Sequence, residues 1–243
     1  LLSANAQKRA FTIEDLYRVK GVSSVSLSPD GKTVCYTASS SDLKNQKSGS
    51  DIYIMNADGS HTKALTEDGK SSSAVWSKDG KSIFFTNYEK GTAQIFRMDL
   101  TTCETEQVTD YELGIGSPVI SPDERYIAFT AEVYPDLGAD AKANKARMEK
   151  KEQGPVQAHI ADKLLYRHWT SYNDGRCNHL ILFDTQTKTY KDLTPGNYSL
   201  IFVVGGGITY QFSPDSKEIC FVSNHDEHQE ASTNADLWTV SVN

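Results

Sequence analysis

A five-residue turn motif occurs four times in this chain and limits the folds open to it more than any other feature. The motif is Ser-Pro-Asp-Gly-Lys at 28–32, and related versions occupy 77–81, 121–125 and 213–217. Proline presets the backbone of a tight turn, aspartate caps that turn, and glycine accepts the left-handed conformation that closes it. Each copy is followed by a short apolar segment, so each copy predicts a turn between two antiparallel strands.

A second repeat, 16 residues long, follows the first three turns. Its copies at 51–66, 94–109 and 179–194 each predict a strand, a polar turn and a second strand, and a fourth copy begins at Asp236. Four short strands in a unit of about 45 residues are typical of a β-propeller blade. The chain is therefore predicted to be all-β, a propeller of four-stranded antiparallel blades with about four blades present.

The ends of the chain suggest that it is part of a longer protein. Ala4 and Ala6 follow two leucines, and signal peptidases require small side chains with this spacing. Residues 1–10 are interpreted as a signal-peptide remnant and disordered start, which predicts a periplasmic or secreted protein; two chance alanines are the alternative. Residues 11–243 are interpreted as a partial propeller, because the fourth unit stops partway through a blade.

Composition excludes several classes of protein. The 243 residues are 38% hydrophobic and 23% charged, as in a globular domain. The net charge of -7, without a separate basic block, argues against nucleic-acid binding. The chain has no apolar run of 18 residues, so no membrane span is predicted. It also lacks Gly-x-Ser-x-Gly, Walker and Cys-x-x-Cys motifs, so no catalytic residue, metal or cofactor is expected.

The cysteines follow the repeat in part. Cys35 and Cys220 each lie seven residues after a turn serine, in a strand position that apolar residues fill in the other two units. Both are therefore predicted to be buried thiols rather than disulfide partners. The pairing of Cys103 and Cys177 is left open.

The histidines provide little signal. Those at 61, 159 and 179 are isolated and indicate neither a metal site nor a catalytic one. His225 and His228 lie three residues apart in an acidic stretch, but the sequence defines no third ligand. A solvated loop is the prediction for that stretch.

A long insertion, residues 131–178, interrupts the third unit. It has 48 residues where the other units use 7 or 13, and insertions of this length are often functional. Its middle, 139–153, is rich in Ala, Lys and Glu and predicts a helix or a mobile segment. Its end could either pin the insertion to the propeller or face a substrate or a neighbouring domain. That end carries aromatic and cationic side chains suited to filling pockets: Tyr166, Arg167, His168 and Trp169.

These features together resemble the N-terminal propeller of prolyl-oligopeptidase-family serine peptidases. The resemblance rests on the turns, on Asp-Ile-Tyr-Ile-Met-Asn-Ala-Asp-Gly-Ser at 51–60, on the secretory-looking start and on Tyr-Arg-His-Trp at 166–169. It is nearest to secreted bacterial dipeptidyl peptidases of the V type and to acylaminoacyl peptidases. It implies a ring of seven or eight blades and an α/β-hydrolase domain in the same polypeptide, which supplies the catalytic Ser, Asp and His.

The resemblance also implies a role for this chain. It would be the non-catalytic propeller part of a secreted serine exopeptidase, gating and positioning short peptide substrates, with residues 166–169 lining the inner cavity or the interdomain face. Type IV dipeptidyl peptidases hold the substrate amine with an adjacent Glu-Glu pair, which this chain lacks. A homodimer is left open. The alternative function is a periplasmic TolB-like propeller that acts as a protein-binding scaffold.

Overall fold

A computed structural model describes residues 9–161, 164, 166–168, 170–200 and 209–243. Residues 1–8 of the predicted signal remnant lie outside these ranges. The chain divides into two compact units. The first comprises Leu1–Glu89 and Arg97–Thr105, and the second comprises Lys90–Phe96 and Glu106–Asn243.

A short helix and two four-stranded sheets form the N-terminal part of the chain. The elements are α1 (Ile13–Leu16), β1 (Gly21–Leu27), β2 (Thr33–Asp42), β3 (Lys47–Asn56), β4 (Lys63–Ala64), β5 (Ser71–Trp76), β6 (Ser82–Asn87), β7 (Gln94–Asp99) and β8 (Thr105–Gln107). The sheet orders are β1-β2-β3-β4 and β5-β6-β7-β8, so neighbours in sequence are neighbours in each sheet.

A third sheet with the insertion and a fourth sheet follow. The elements are β9 (Gly116–Ile120), β10 (Tyr126–Val133), α2 (Ala141–Glu152), β11 (Arg167–His168), β12 (Ser171–Tyr172), β13 (Cys177–Asp184), β14 (Thr189–Asp192), β15 (Tyr210–Phe212), β16 (Glu218–Ser223), a 3-10 turn (Gln229–Ala231) and β17 (Asp236–Ser241). The third sheet has the order β14-β13-β10-β9, the fourth has the order β15-β16-β17, and β11 pairs with β12. The all-β prediction is confirmed, and the fourth sheet has three strands among the residues that the structure describes.

The predicted turns occur at all four positions and share one hydrogen-bond pattern. In the first turn the Ser28 hydroxyl donates to Oδ1 of Asp30 at 2.7 Å and accepts from the Thr33 N–H at 2.9 Å. The other three turns repeat both bonds at 2.6–3.0 Å. Gly31 has a φ of 72°, and Glu124 adopts nearly the same left-handed conformation in the third turn, at 61°.

The 16-residue repeat corresponds to a second pattern. The threonine that closes each segment accepts a hydrogen bond from the backbone N–H fourteen residues earlier. The oxygen–nitrogen distance is 2.9 Å in every copy: Thr66 with Ile52, Thr109 with Ile95, and Thr194 with Leu180. Because a buried N–H without a partner is costly, this bond explains why a threonine ends each segment.

The residue before each donor has a polar side chain that binds the chain near or beyond the threonine. In the first segment Oδ1 of Asp51 accepts from the closing threonine at 3.2 Å and from the Gly69 N–H at 3.0 Å. In the second segment Oε1 of Gln94 accepts from the Tyr111 N–H at 3.0 Å. The third segment has His179 in this position.

Neighbouring sheets pack face to face within each unit. In the first unit the Trp76 indole N–H donates to the Ser26 carbonyl at 3.0 Å, which links β5 to β1. In the second unit the third and fourth sheets share a cluster of buried side chains, listed here: Tyr126, Ala128, Leu180, Leu182, Leu193, Leu200, Tyr210, Phe212, Ile219, Phe221 and Val242.

All four cysteines are unpaired. Cys35 is fully buried, as predicted, and burial raises the pKa of its thiol to about 11. Cys220 is only partly buried, because it lies on the face of β16 opposite the buried Ile219 and Phe221. The open question about Cys103 and Cys177 is resolved, since neither forms a disulfide.

The insertion leaves the sheet over fewer residues than its predicted bounds of 131–178. Strands β10 and β13 extend into both of its ends and pair in register as far as Val133 with Cys177. Residues 134–176 therefore form the excursion from the sheet. The helix predicted at 139–153 is observed as α2. Among the described helices, none is long and apolar enough to cross a membrane.

Candidate functional site

The insertion leaves the third sheet through a turn held by one buried amide. Asn144 of α2 has no exposed surface. Its Oδ1 accepts from the Tyr134 N–H at 2.6 Å, and its Nδ2 donates to the carbonyls of Gly138 and Asp140 at 3.0 and 2.8 Å. Asp140 also caps α2 by accepting from the Ala143 N–H. These bonds fix the start of the helix relative to the strand that precedes it.

Tyr134 connects that strand to two cations of α2. The Arg147 guanidinium carbon and the Lys151 ammonium nitrogen each lie 4.7 Å from the centre of its ring. Arg147 in turn binds both carboxylate oxygens of Asp136 at 2.7 Å. The ring is buried, so these cation–π contacts hold the helix over the end of the sheet.

Arg176 closes the other side of the insertion. Its Nε binds Asp174 at 2.9 Å, and its Nη1 lies 3.0 Å from Oε2 of Glu132 on β10. Lys151 donates to the backbone carbonyl of Asp174 at 2.8 Å. The segment that returns to β13 is therefore bound to both the helix and the outgoing strand.

These elements border an open cavity of about 920 Å³. It lies between α2, the irregular segment 154–161 and the returning segment 173–177, and Tyr134 and Met148 are among its walls. Ligand pockets in proteins are usually 300–1,000 Å³ in volume, so this cavity is large enough for a short peptide fragment.

Three aromatic rings stand in a row beside the cavity. The ring of His159 stacks on Tyr172, with centres 4.1 Å apart and planes within 9°, and Tyr166 lies 6.5 Å from Tyr172. Both tyrosines are nearly half exposed. Exposed aromatic faces can accept a further ring or an apolar group by offset stacking.

The structure brings one of the predicted site residues to the cavity. Tyr166 lines it. Arg167 is exposed and lies opposite Tyr172 in the β11–β12 hairpin, outside the lining. The backbone of His168 belongs to the same strand, and Trp169 lies outside the described residues. The substrate-binding role of all four stays a prediction.

Sequence reasoning missed His179, which is fully buried on β13. Its Nδ1 lies 2.7 Å from Oδ2 of Asp192, and its Nε2 lies 2.9 Å from the Gly196 carbonyl. Because both partners are acceptors, both ring nitrogens carry protons. Burial is the largest single influence and alone would lower the pKa of His179, but the hydrogen bond to Asp192, the charge of that carboxylate and the other hydrogen bonds of the ring together outweigh burial and raise the pKa to about 9.

This histidine lies next to the insertion. A side chain added at Gly138 would approach Asp192 to 3.2 Å, so the entry turn passes directly over the ion pair. Asn197, one residue beyond Gly196, lines the cavity. The only sequence signal for this pair is positional, since His179 occupies the slot of Asp51 and Gln94. Among the described residues, no group of three or more metal-capable side chains is present.

Comparison with known proteins places the chain in a family. Residues 11–153 match the family described as TolB beta propeller domain. Dipeptidyl-peptidase 5 of Porphyromonas gingivalis is 30% identical over 228 residues, which cover 91% of this chain and 32% of the relative. The chain therefore spans about a third of that relative's length, and the resemblance to peptidase propellers is confirmed.

Two solved structures share the fold. Pyrococcus horikoshii acylaminoacyl peptidase matches with a TM-score of 0.63 and 17% identity, over 93% of this chain and 31% of that one. TolB from Acinetobacter baumannii matches with a TM-score of 0.53 and 18% identity, over 90% of this chain and 42% of that one. At these identities the likeness shows the fold alone. Since the family match covers more than half of its residues, the chain belongs to the TolB β-propeller domain family.

Proposed function

We propose that this chain is the non-catalytic propeller part of a secreted serine exopeptidase, where it gates and positions short peptide substrates. Cleavage would be carried out by an α/β-hydrolase domain of the same polypeptide. The similarity to a dipeptidyl-peptidase over 91% of the chain supports this proposal. The proposal covers two types of exopeptidase, a dipeptidyl peptidase and an acylaminoacyl peptidase.

The cavity in the insertion is the observation that carries the proposal. A propeller that served only as a spacer would not need a cavity of about 920 Å³ held by cation–π contacts, ion pairs and a buried amide. Sites on loops anchored to a rigid sheet are a common arrangement for binding. Tyr166 connects this cavity to the segment that the resemblance assigned to substrate contact.

Arg167 is the residue best suited to hold a polar group of the peptide. It is exposed on the hairpin beside the cavity. A guanidinium presents a planar fork of donors that matches a carboxylate and can also bind a peptide carbonyl. We therefore assign it to the substrate's carbonyl or carboxylate, with the aromatic row of His159, Tyr172 and Tyr166 beside it.

The experiment replaces Arg167 by alanine in the full-length polypeptide and measures kcat/KM on a dipeptide reporter. Loss of a charged hydrogen bond to substrate should reduce kcat/KM by about tenfold or more. Arg18→Ala is the matched control, because Arg18 is an exposed arginine beside α1. An unchanged kcat/KM in a variant of normal melting temperature would remove Arg167 from the site.

A scaffold function of the TolB kind is the second candidate. It is favoured by the family match and by exposed apolar side chains on α1 and β1, among them Ile13, Leu16, Val22 and Val25, since such surfaces mark protein contacts. The coding sequence beyond Asn243 discriminates between the candidates. A Gly-x-Ser-x-Gly motif some hundreds of residues later supports the peptidase, and a stop codon after one or two further blades supports the scaffold.

A periplasmic or secreted location is part of the peptidase proposal. It rests on Ala4 and Ala6 in the sequence. Cell fractionation, followed by N-terminal sequencing of the mature protein, tests it. Cleavage after Ala6 supports export, and a cytoplasmic protein that keeps Leu1 rules it out.

A further inference from the structure

The rim of the insertion cavity exposes large apolar side chains. Val156, Ile160 and Leu164 are 72%, 94% and 72% exposed, and all three belong to the cavity lining. Single exposed apolar residues are common, but three of them in the lining of one cavity are typical of a binding surface. A ligand that covers these side chains would gain hydrophobic free energy that the unliganded protein forgoes.

The carboxylates at the base of the insertion are already paired. Asp174 and Glu132 both bind Arg176, at 2.9 and 3.0 Å. The Lys151 ammonium lies over the Tyr134 ring and donates to a backbone carbonyl. A charged ligand group placed here would have to compete with these contacts. The base of the cavity therefore favours an uncharged group, and the other charged lining residues, Lys150 and Glu152, are exposed to solvent.

The aromatic row adds a preference for shape. The half-exposed rings of Tyr166 and Tyr172 offer flat apolar surface beside the rim. Flat rings stack well with other rings in offset geometry. An aromatic side chain would contact the row and the aliphatic rim at the same time.

We propose that this cavity is a subsite for one apolar, preferably aromatic, side chain of a peptide, carried on an uncharged stretch of its backbone. This inference deepens the proposed peptide-positioning function and rests on it. The side chain would lie between segment 154–161 and the tyrosine pair. Peptides with glycine or a charged residue at that position would bind less tightly.

The test measures hydrogen–deuterium exchange of segment 154–161 in the full-length protein. The probes are N-acetyl-phenylalaninamide, N-acetyl-glycinamide and N-acetyl-lysinamide, each titrated to 20 mM, about twenty times the order-of-magnitude dissociation constant for so small a ligand. The phenylalanine probe should slow exchange of the segment with a dissociation constant on the order of 1 mM. The other two probes should bind at least about tenfold more weakly.

Ile160→Ser is the diagnostic variant. Because Ile160 is almost fully exposed, the substitution should leave folding intact and weaken the phenylalanine probe by about tenfold. Leu43→Ser is the matched control, since Leu43 is an exposed leucine in the turn between β2 and β3. It should leave the affinity unchanged.

Two results would overturn the subsite. One is equal protection by all three probes, and the other is an Ile160→Ser variant with unchanged affinity. The readout is separate from the kinetic test on Arg167. Protection of 154–161 without any effect of Arg167→Ala would reject the proposed substrate contact and keep the subsite. A lower kcat/KM for Arg167→Ala without protection of 154–161 would keep the substrate contact and reject the subsite.

Discussion

The first and third 16-residue segments use one backbone arrangement with different side-chain chemistry. In both, the closing threonine accepts from a strand N–H at 2.9 Å. The position directly before that strand N–H, here called the slot, holds Asp51 in the first segment. Asp51 is a partly buried carboxylate that accepts from neutral donors. The same slot holds His179 in the third, a fully buried imidazolium paired with Asp192.

The difference between the two slots accompanies the difference between their sheets. The first sheet connects β2 to β3 by a short turn, whereas the third carries residues 134–176 between β10 and β13. The entry turn of that insertion passes over Asp192 at Gly138. A rigid charged pair under this turn gives the insertion a fixed base, which the first sheet does not need. The repeat thus accepts different side chains in this slot, and in the third segment that side chain supports the insertion.

The largest effect should come from breaking the charged slot. His179→Ala leaves the Asp192 carboxylate and the Gly196 carbonyl without their buried donor, and we expect a loss of roughly 3–5 kcal/mol in the free energy of unfolding. Asp51→Ala in the first segment removes hydrogen bonds from two neutral donors to a partly buried carboxylate and should cost less, about 1.5–3 kcal/mol. Urea denaturation of both variants measures the two losses in the free energy of unfolding. Equal losses would contradict the distinction between the two slots.

The pH dependence of stability should separate the slots next. The pKa of His179 is raised to about 9 from an ordinary value of 6.5, so the folded protein holds this proton more tightly than the unfolded chain does. The stabilisation is complete below pH 6.5 and is lost as the pH rises through about 9. Linkage allows up to about 3 kcal/mol over that window.

The measurement is the free energy of unfolding at several pH values from 6 to 10. His179→Gln is the matched variant, because it installs the neutral residue type that the second segment has at Gln94. It should remove the part of the alkaline loss that belongs to His179, while tyrosines and lysines titrate in both proteins. Parallel pH curves for the two proteins would show that His179 is not protonated in the folded state.

The turns and the period were sufficient to predict the sheets. Serine, aspartate and a left-handed residue have local roles, so their pattern survives in the sequence and led to the correct hairpins. The role of the closing threonines was not recognised, because their partners lie fourteen residues away. Local chemistry is visible in one sequence, and pairing across strands is visible only through repetition.

The site was only partly predictable for the same reason. Tyr166 was selected for its aromatic neighbourhood and lies in the lining of the insertion cavity, while its predicted substrate contact stays a prediction. Asn144 and His179 were not identified, since a buried amide and a buried imidazole look like any others until their partners are known. The predicted bounds of the insertion, 131–178, also began inside paired strands, because strand length depends on the partner strand.

The smallest effect concerns the turns that these sheets share. Gly31 has a φ of 72° and nothing within 4 Å of an added Cβ, so Gly31→Ala tests backbone strain alone. We expect a loss of about 1 kcal/mol in the free energy of unfolding, because an L side chain resists the left-handed region. Lys32→Ala at the next, exposed position is the control and should cost less than about 0.5 kcal/mol.

The third turn has the same backbone geometry with a glutamate, Glu124, whose φ is 61°. A neutral Gly31→Ala would mean that this strain is negligible in both turns, and that the glycine of the repeat is not required by its backbone conformation.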